Sequence, residues 1–299
     1  MSNDPFVEHL EQLQDVFREY EFFFVLGAPK SGTTWLQKAL NAHSQVVCVG
    51  EGHFVDKFVS LVGPALKQYF DHQAVVARNV YEGNAGYRHD RQASIEFLAK
   101  AFVLDAFARL ERPAGTRWVG DKTPANVEHL GSLYRLFPDA KFINIVRDGR
   151  DTLVSTFKHA ERVMRANGHK EDLAGFLLEK TGNYTNRWAR SLEVAETFSR
   201  EHPGSLHTLR YEDLKNDFAA TLGRALTFLG ADVNEDEIGR CETESSFKKL
   251  SGGRDVGQED PNAFVRKGIV GDWRANLNEQ HLEIFNAQGA RWLAHYGYE

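Results

Sequence analysis

The stretch Phe22-Phe23-Phe24-Val25-Leu26-Gly27-Ala28-Pro29-Lys30-Ser31-Gly32-Thr33-Thr34-Trp35 decides how the chain folds. Its five consecutive apolar residues read as a buried strand. Gly27 and Gly32 bracket a tight turn, and the small hydroxyl residues after it open a helix. Strand, glycine loop and helix start bring backbone N–H groups and a helix N-terminus around one anion. The stretch therefore reads as a phosphate-binding loop. In the pattern G-x-x-x-x-G-K-[ST] a lysine follows the second glycine. Here Thr33 holds that position and the cation sits earlier, at Lys30. A chance glycine turn is the competing explanation, since loose glycine motifs recur without function.

Outward from this loop, strands and helices alternate. Before it, Phe6, Leu10, Leu13, Phe17 and Tyr20 recur at helical spacing over residues 4–20. After it, Trp35, Leu36, Ala39 and Leu40 mark a helix, and Val46-Val47-Cys48-Val49 a second strand ending at Gly50-Glu51-Gly52-His53. Residues 55–112 read as mostly helical, with one helix over 93–111 and a polar loop insertion over 78–91. A third strand over 117–120 leads into Asp121-Lys122-Thr123-Pro124, followed by a helix around 126–136. A fourth strand over 141–146 ends at Arg147-Asp148. A long helix runs from Leu173 through Ala195, and a fifth strand covers 205–209. Further helices carry Leu214 through Leu229, closed by Gly230, and Leu282 through Leu293. The alternation predicts an α/β fold, one domain over 1–299, with a mostly parallel central sheet flanked by helices. In such sheets ligands bind beyond the C-terminal strand ends, which here carry Lys30, Glu51, Lys122 and Arg147.

Composition narrows the class. The 299 residues are 42% apolar and 26% charged, the usual balance of a globular protein. A net charge of −6 argues against general nucleic-acid binding. Cys48 and Cys241 have no metal-like spacing and suggest a reducing compartment. No apolar run approaches the ~18 residues of a membrane span. The start Met1-Ser2-Asn3-Asp4-Pro5 is polar rather than a signal peptide, so a cytoplasmic location is expected.

Two further stretches carry chemistry. Arg147-Asp148-Gly149-Arg150-Asp151-Thr152-Leu153-Val154-Ser155 leaves a strand end and enters a helix. Arg147 there can grip a phosphate bidentately, and Ser155, a little over two turns on, shares a face with the helix start. A plain Arg147–Asp148 ion pair is the alternative. Phe264-Val265-Arg266-Lys267-Gly268-Ile269-Val270-Gly271-Asp272-Trp273 sets two cations before a glycine in a loop-like region, which can close over a ligand. Two separated anion sites fit a ligand with phosphates at both ends better than a nucleoside triphosphate.

With these motifs the chain resembles sulfotransferases that use 3′-phosphoadenosine 5′-phosphosulfate (PAPS). The family's P-K-S-G-T-T-W matches residues 29–35 without a gap, and its R-K-G-x-x-G-D-W matches 266–273. The resemblance implies that Lys30, Ser31, Gly32, Thr33, Thr34 and Trp35 bind the 5′-phosphosulfate. It implies a 3′-phosphate site at Arg147 and Ser155, joined by Arg266, Lys267 and Gly268. Tyr211, in Arg210-Tyr211-Glu212-Asp213-Leu214, resembles the family's tyrosine near the nucleotide, and Ser245 and Phe247 its adenine-side pair. The likeness runs from about residue 22 to the C-terminal helix. It implies PAPS as donor, adenosine 3′,5′-bisphosphate (PAP) as product and no metal.

On the acceptor side, the cytosolic small-molecule branch places a histidine after a K-T-H-type segment, whereas Asp121-Lys122-Thr123-Pro124 has none at that place. Glu51-Gly52-His53-Phe54-Val55-Asp56 resembles the E-x-H-F-F-D segment of carbohydrate sulfotransferases. By that likeness Glu51 is the catalytic base, His53 supports it and Lys122 places or polarises a hydroxyl-bearing acceptor. His53 as base, and Glu51 as a helix cap or a partner for Lys122, are the competing assignments. The 55–112 insertion would lie on the acceptor side, with Tyr81, Tyr87 and Trp118 either lining a pocket or belonging to the core. Residues 159–170 supply cations to the site or form a solvated helix face. The expected reaction is in-line sulfuryl transfer to a hydroxyl of a carbohydrate or small molecule. A P-loop kinase for a small metabolite and a non-catalytic nucleotide-binding module are the rival functions. Oligomeric state is left open.

Overall fold

The apolar run after Tyr20 becomes the middle strand of a parallel sheet. In this computed structural model, which describes residues 4–83, 90–166 and 173–298, the strands are β1 (Glu21–Leu26), β2 (Val46–Val49), β3 (Trp118–Lys122), β4 (Lys141–Val146) and β5 (Leu206–Arg210). They lie in the order β2-β3-β1-β4-β5, and every neighbouring pair is parallel. The register pairs Phe24 with Asp121 and Val25 with Lys122 on one side of β1, and Leu26 with Asn144 on the other.

Both faces of the sheet are covered, which is why β1 is continuously apolar rather than alternating. Phe22, Phe24 and Leu26 pack with residues of helices Pro5–Glu19, Arg91–Ala108 and Leu130–Leu136. Phe23 and Val25 point the other way, into residues of helices Thr33–Asn41, Phe218–Leu229 and Glu235–Ser245. Phe23 and Phe24 are fully buried, and each such side chain contributes about 1.5–3 kcal/mol by leaving water. Local signals set the helix ends. Asp4 and Asn234 accept N–H groups of the first turns they precede, and Gly230 closes its helix at φ 77°.

Three expectations need correction. The helix expected around 126–136 is a 3₁₀ segment, Pro124–His129, followed by the helix Leu130–Leu136. Leu214 and Phe218 belong to two helices, Tyr211–Asn216 and Phe218–Leu229, since Asp217 interrupts the run and caps the second through Ala220 N–H. The start of the loop expected over 78–91 is the end of the helix Ser60–Val80, whose residues are all at least partly exposed. Tyr87 and the rest of residues 84–89 lie outside the described residues, as do His169 and Lys170. Trp118 is a core residue, while Tyr81 is largely exposed. Among the described residues no helix is long and apolar enough to cross a membrane.

Candidate active site

The C-terminal ends of β1, β2, β3 and β4 open towards a cavity of about 650 Å3. Its floor is the loop after β1. A Cβ at Gly27 would stand 2.5 Å from the Ile145 carbonyl oxygen, and one at Gly32 2.6 Å from the Tyr211 ring, so both positions need glycine. Tyr184 donates its hydroxyl to the Pro29 carbonyl at 3.1 Å, and Ser31 N–H donates to the Ala28 carbonyl at 3.1 Å. The helix Thr33–Asn41 starts at Gly32 without a side-chain cap. Its opening N–H groups therefore have no intrahelical acceptor, and Gly32, Thr33, Thr34 and Trp35 line the cavity.

Lys30 lines the same cavity, in the left-handed region at φ 70°, with its ammonium 5.1 Å from the centre of the Phe264 ring. Burial, with the charge of Arg162 adding to it and Glu51 opposing it, lowers the Lys30 pKa to about 8.

Beside the loop, Arg147 is half-buried and stacks 4.3 Å from the Tyr211 ring centre, with one guanidinium nitrogen 3.5 Å from the Lys30 carbonyl oxygen. Another guanidinium nitrogen donates to the Ile269 carbonyl at 3.1 Å, while Nε is buried with no partner among the described residues. Ser155, Tyr211, Ser245 and Phe247 also line the cavity. The Ser245 hydroxyl donates to the Cys241 carbonyl at 2.7 Å, so this serine meets the cavity with its hydroxyl already engaged. Gly268, at φ 67°, lies against the face of Phe247, where any Cβ would collide with the ring. Beside it, Arg266 and Lys267 converge on Asp272, the lysine at 2.8 Å. Burial alone would raise the Asp272 pKa, but these two cations outweigh it and hold the carboxyl below its usual value.

The third group joins β2 to β3. Lys122 is buried and donates to Glu51 Oε1 at 2.6 Å. The other oxygen of Glu51 is 3.3 Å from His53 Nε2, and His53 Nδ1 is 2.9 Å from Asp56. Asp121, paired across the sheet with Phe24, accepts Gly52 N–H at 2.8 Å and the Thr123 hydroxyl at 2.7 Å. Burial raises its pKa despite these bonds. The β2 turn is thereby tied to β3, and Glu51 and His53 face the cavity. Glu51 does pair with Lys122, as one competing assignment held, yet it is 39% exposed and keeps open access to the cavity.

The residues expected to be catalytic or to bind the cofactor all line this cavity except Ser31 and Lys122, whereas Tyr81, Trp118, His159 and Arg162 do not. Lys122 reaches it through Glu51. Ser31 is fully buried, with a hydroxyl that has no partner among the described residues. Sequence reading missed Lys38, Lys215 and Arg254, which also line it. It also passed over Asp151, fully buried, which accepts the N–H groups of Gly271 and Trp273. The signal for Asp151 was its place four residues after Arg147, one helical turn away.

Comparison with known proteins follows the same residues. A family model described as "Sulfotransferase family" matches residues 23–235. An uncharacterized protein of Aquifex aeolicus is 28% identical over 84% of this chain and 30% of its own length. Protein-tyrosine sulfotransferase 1 of Danio rerio is 27% identical over 66% of this chain and 49% of its own. The chain thus spans half or less of these two relatives. Among solved structures, the mouse sulfotransferase SULT7A1 complexed with PAP superposes with a TM-score of 0.59 and 21% identity, covering 96% of this chain and 93% of that one. At that identity the likeness establishes the fold.

Proposed function

Because the chain belongs to the sulfotransferase family, we propose that it is an enzyme that moves a sulfuryl group from PAPS to the hydroxyl of an acceptor, releasing PAP. The observation that carries this reading is one cavity that holds both a cation-bearing loop and, next to it, an arginine whose Nε has no partner among the described residues. The buried, unpartnered Nε of Arg147 fits a 3′-phosphate, with Ser155 beside it. The uncapped helix start at Gly32 fits the 5′-phosphate, and Phe247 against Gly268 offers a flat apolar wall for adenine.

In the reaction, Glu51 takes the proton of the acceptor hydroxyl as its oxygen bonds to sulfur. The bond from sulfur to the bridging phosphate oxygen breaks, and Lys30 stabilises the charge that builds there. Holding both reactants in line is the other main contribution. Lys122 fixes one Glu51 oxygen, and His53, oriented by Asp56, contacts the other. Proton abstraction by a placed base contributes about 10²–10⁴-fold. The scheme needs no metal. The carbohydrate-like Glu51 segment favours a sugar hydroxyl as acceptor, and the buried free thiols Cys48 and Cys241 suit a reducing, cytoplasmic setting.

Calorimetry with PAP, in the absence of Mg²⁺, tests the donor site. Transfer of labelled sulfate from PAPS to a panel of glycans, phenols, lipids and peptides tests the chemistry. Binding only of ATP with Mg²⁺ would refute the reading in favour of a kinase.

A further inference from the structure

The helix Gly149–Ala166 enters the cavity at Ser155 and continues past it. Ser155, His159 and Arg162 follow at i, i+4 and i+7 and so share one face of the helix. Arg162 lies 6.0 Å from the centre of the Phe264 ring, whose other cationic neighbour is Lys30 at 5.1 Å. One cavity-lining ring is therefore flanked by the loop lysine and by an arginine that does not itself line the cavity.

Arg162 has no carboxylate partner among the described residues. Its neighbours on the same helix differ, since Lys158 and Arg165 share Glu161 at 3.2 and 3.7 Å. The Arg162 contacts are a donation to His159 Nδ1 at 3.1 Å and a long one to the Asn262 carbonyl at 3.5 Å. Because arginine only donates, His159 must accept at Nδ1 and carry its proton on Nε2. Burial, then the charges of Lys30 and Arg162, lower the His159 pKa and favour that neutral form. The result is a half-buried guanidinium and an N–H donor beside Lys30, with no carboxylate paired to Arg162 among the described residues. In the reading above, the donor's phosphates occupy the loop and Arg147, which leaves an anion at Arg162 to the acceptor.

We propose that His159 and Arg162 form an acceptor subsite for a carboxylate, so that the enzyme sulfates hydroxyls of acidic acceptors. The inference rests on the sulfotransferase reading given above. The planar fork of Arg162 matches a carboxylate, and the His159 Nε2–H supplies a further donor.

The test is calorimetry on the PAP-saturated full chain with matched probes, methyl β-glucuronide against methyl β-glucoside and 4-hydroxybenzoate against 4-hydroxybenzamide. The charged member of at least one pair is expected to bind more tightly by about tenfold or more, the low end for a charge-assisted hydrogen bond. Arg162→Ala should abolish that preference, and Arg165→Ala, which alters an exposed neighbour, should keep it. Equal binding within each pair, binding of no probe, or a preference that survives Arg162→Ala overturns the proposal. So does an Arg162→Ala protein that loses affinity for PAPS relative to PAP, since Arg162 would then hold the donor's sulfuryl group. A wild-type chain that does not bind PAP fails at the earlier step and overturns the sulfotransferase reading itself.

Discussion

Asp151 Oδ2 accepts the backbone N–H of Gly271 at 2.7 Å, joining the start of one helix to a segment 120 residues later. Its Oδ1 accepts Trp273 N–H at 3.0 Å, and the same carboxylate lies 3.4 Å from the Arg147 guanidinium. One buried group thus fixes both Arg147 and the segment that carries Arg266, Lys267 and Gly268.

Asp151→Ala should therefore do two things. It leaves two N–H groups and part of a buried guanidinium without acceptors, at about 1–3 kcal/mol for each buried group left unpaired. It also frees the 266–273 segment, so PAP affinity should fall by more than the change in Arg147 alone. Asp151→Asn, which keeps an acceptor oxygen, should recover much of the stability. Denaturant unfolding and PAP titration on the two variants separate the effects. A PAP affinity unchanged in Asp151→Ala would remove Asp151 from the support of the site.

The base assignment is tested at Glu51. Glu51→Gln keeps an oxygen for Lys122, so the buried lysine is not stranded and the fold should survive. Transfer should drop by about 10²–10⁴-fold, the contribution of a general base, while PAP still binds. His53→Ala removes the contact at 3.3 Å but leaves the carboxylate, and a smaller loss is expected. Steady-state rates with saturating PAPS decide. If His53→Ala is the more damaging of the two, the base is His53.

Much of this was legible in the sequence because it rests on local rules. The run from Phe22 to Leu26 announces a strand covered on both faces, and Gly27 and Gly32 announce the turn. Lys30, displaced from the usual place after the second glycine, already separated this loop from the common phosphate-binding pattern. What was not legible depends on pairs distant in the chain. Asp151 reads as one of several acids near a helix start, and only the fold brings it to Gly271 and Trp273. Ser245 reads as one of an adenine-side pair, and only the fold shows that its hydroxyl proton goes to the Cys241 carbonyl one turn back. Trp118 reads equally as a pocket wall or a core residue, and the pairing of β3 with its neighbours settles it as core. Pro124 shows why element boundaries blur, since a proline start is compatible with 3₁₀ and α geometry alike.

Gly268 offers a test of the nucleotide wall that leaves every charge in place. Its φ of 67° and its contact with Phe247 mean that a methyl group there both strains the backbone and displaces the ring. Gly268→Ala should weaken PAP binding by about tenfold or more, from lost apolar contact and strain of about 1–3 kcal/mol. The same strain is present without ligand, so thermal unfolding of the unliganded protein should also shift down, and PAP affinity measured well below that transition isolates the binding effect. Normal PAP affinity in this variant would place adenine elsewhere.

Lys30 gives a prediction with opposite signs for activity and stability. Burial and Arg162 lower its pKa from 10.5 to about 8, so the donor-free enzyme loses the ammonium as pH rises through that value. The charged form is the one that stabilises the leaving phosphate oxygen, so kcat/KM for PAPS should be level below about pH 8. Above it, the value should fall by about tenfold per pH unit. Stability moves the other way. The unfolded chain holds this proton up to the ordinary lysine range, so between about 8 and 10.5 unfolding takes up a proton and Lys30 makes the fold more stable as pH rises. Lys30→Arg keeps its charge throughout and should remove the alkaline fall in rate. Lys30→Ala should lower turnover by about 10²–10³-fold, with a smaller loss in PAP affinity, because the lysine matters most as charge develops. Paired pH–rate and pH–stability profiles check this. An alkaline limb that persists in Lys30→Arg would show that another group titrates there.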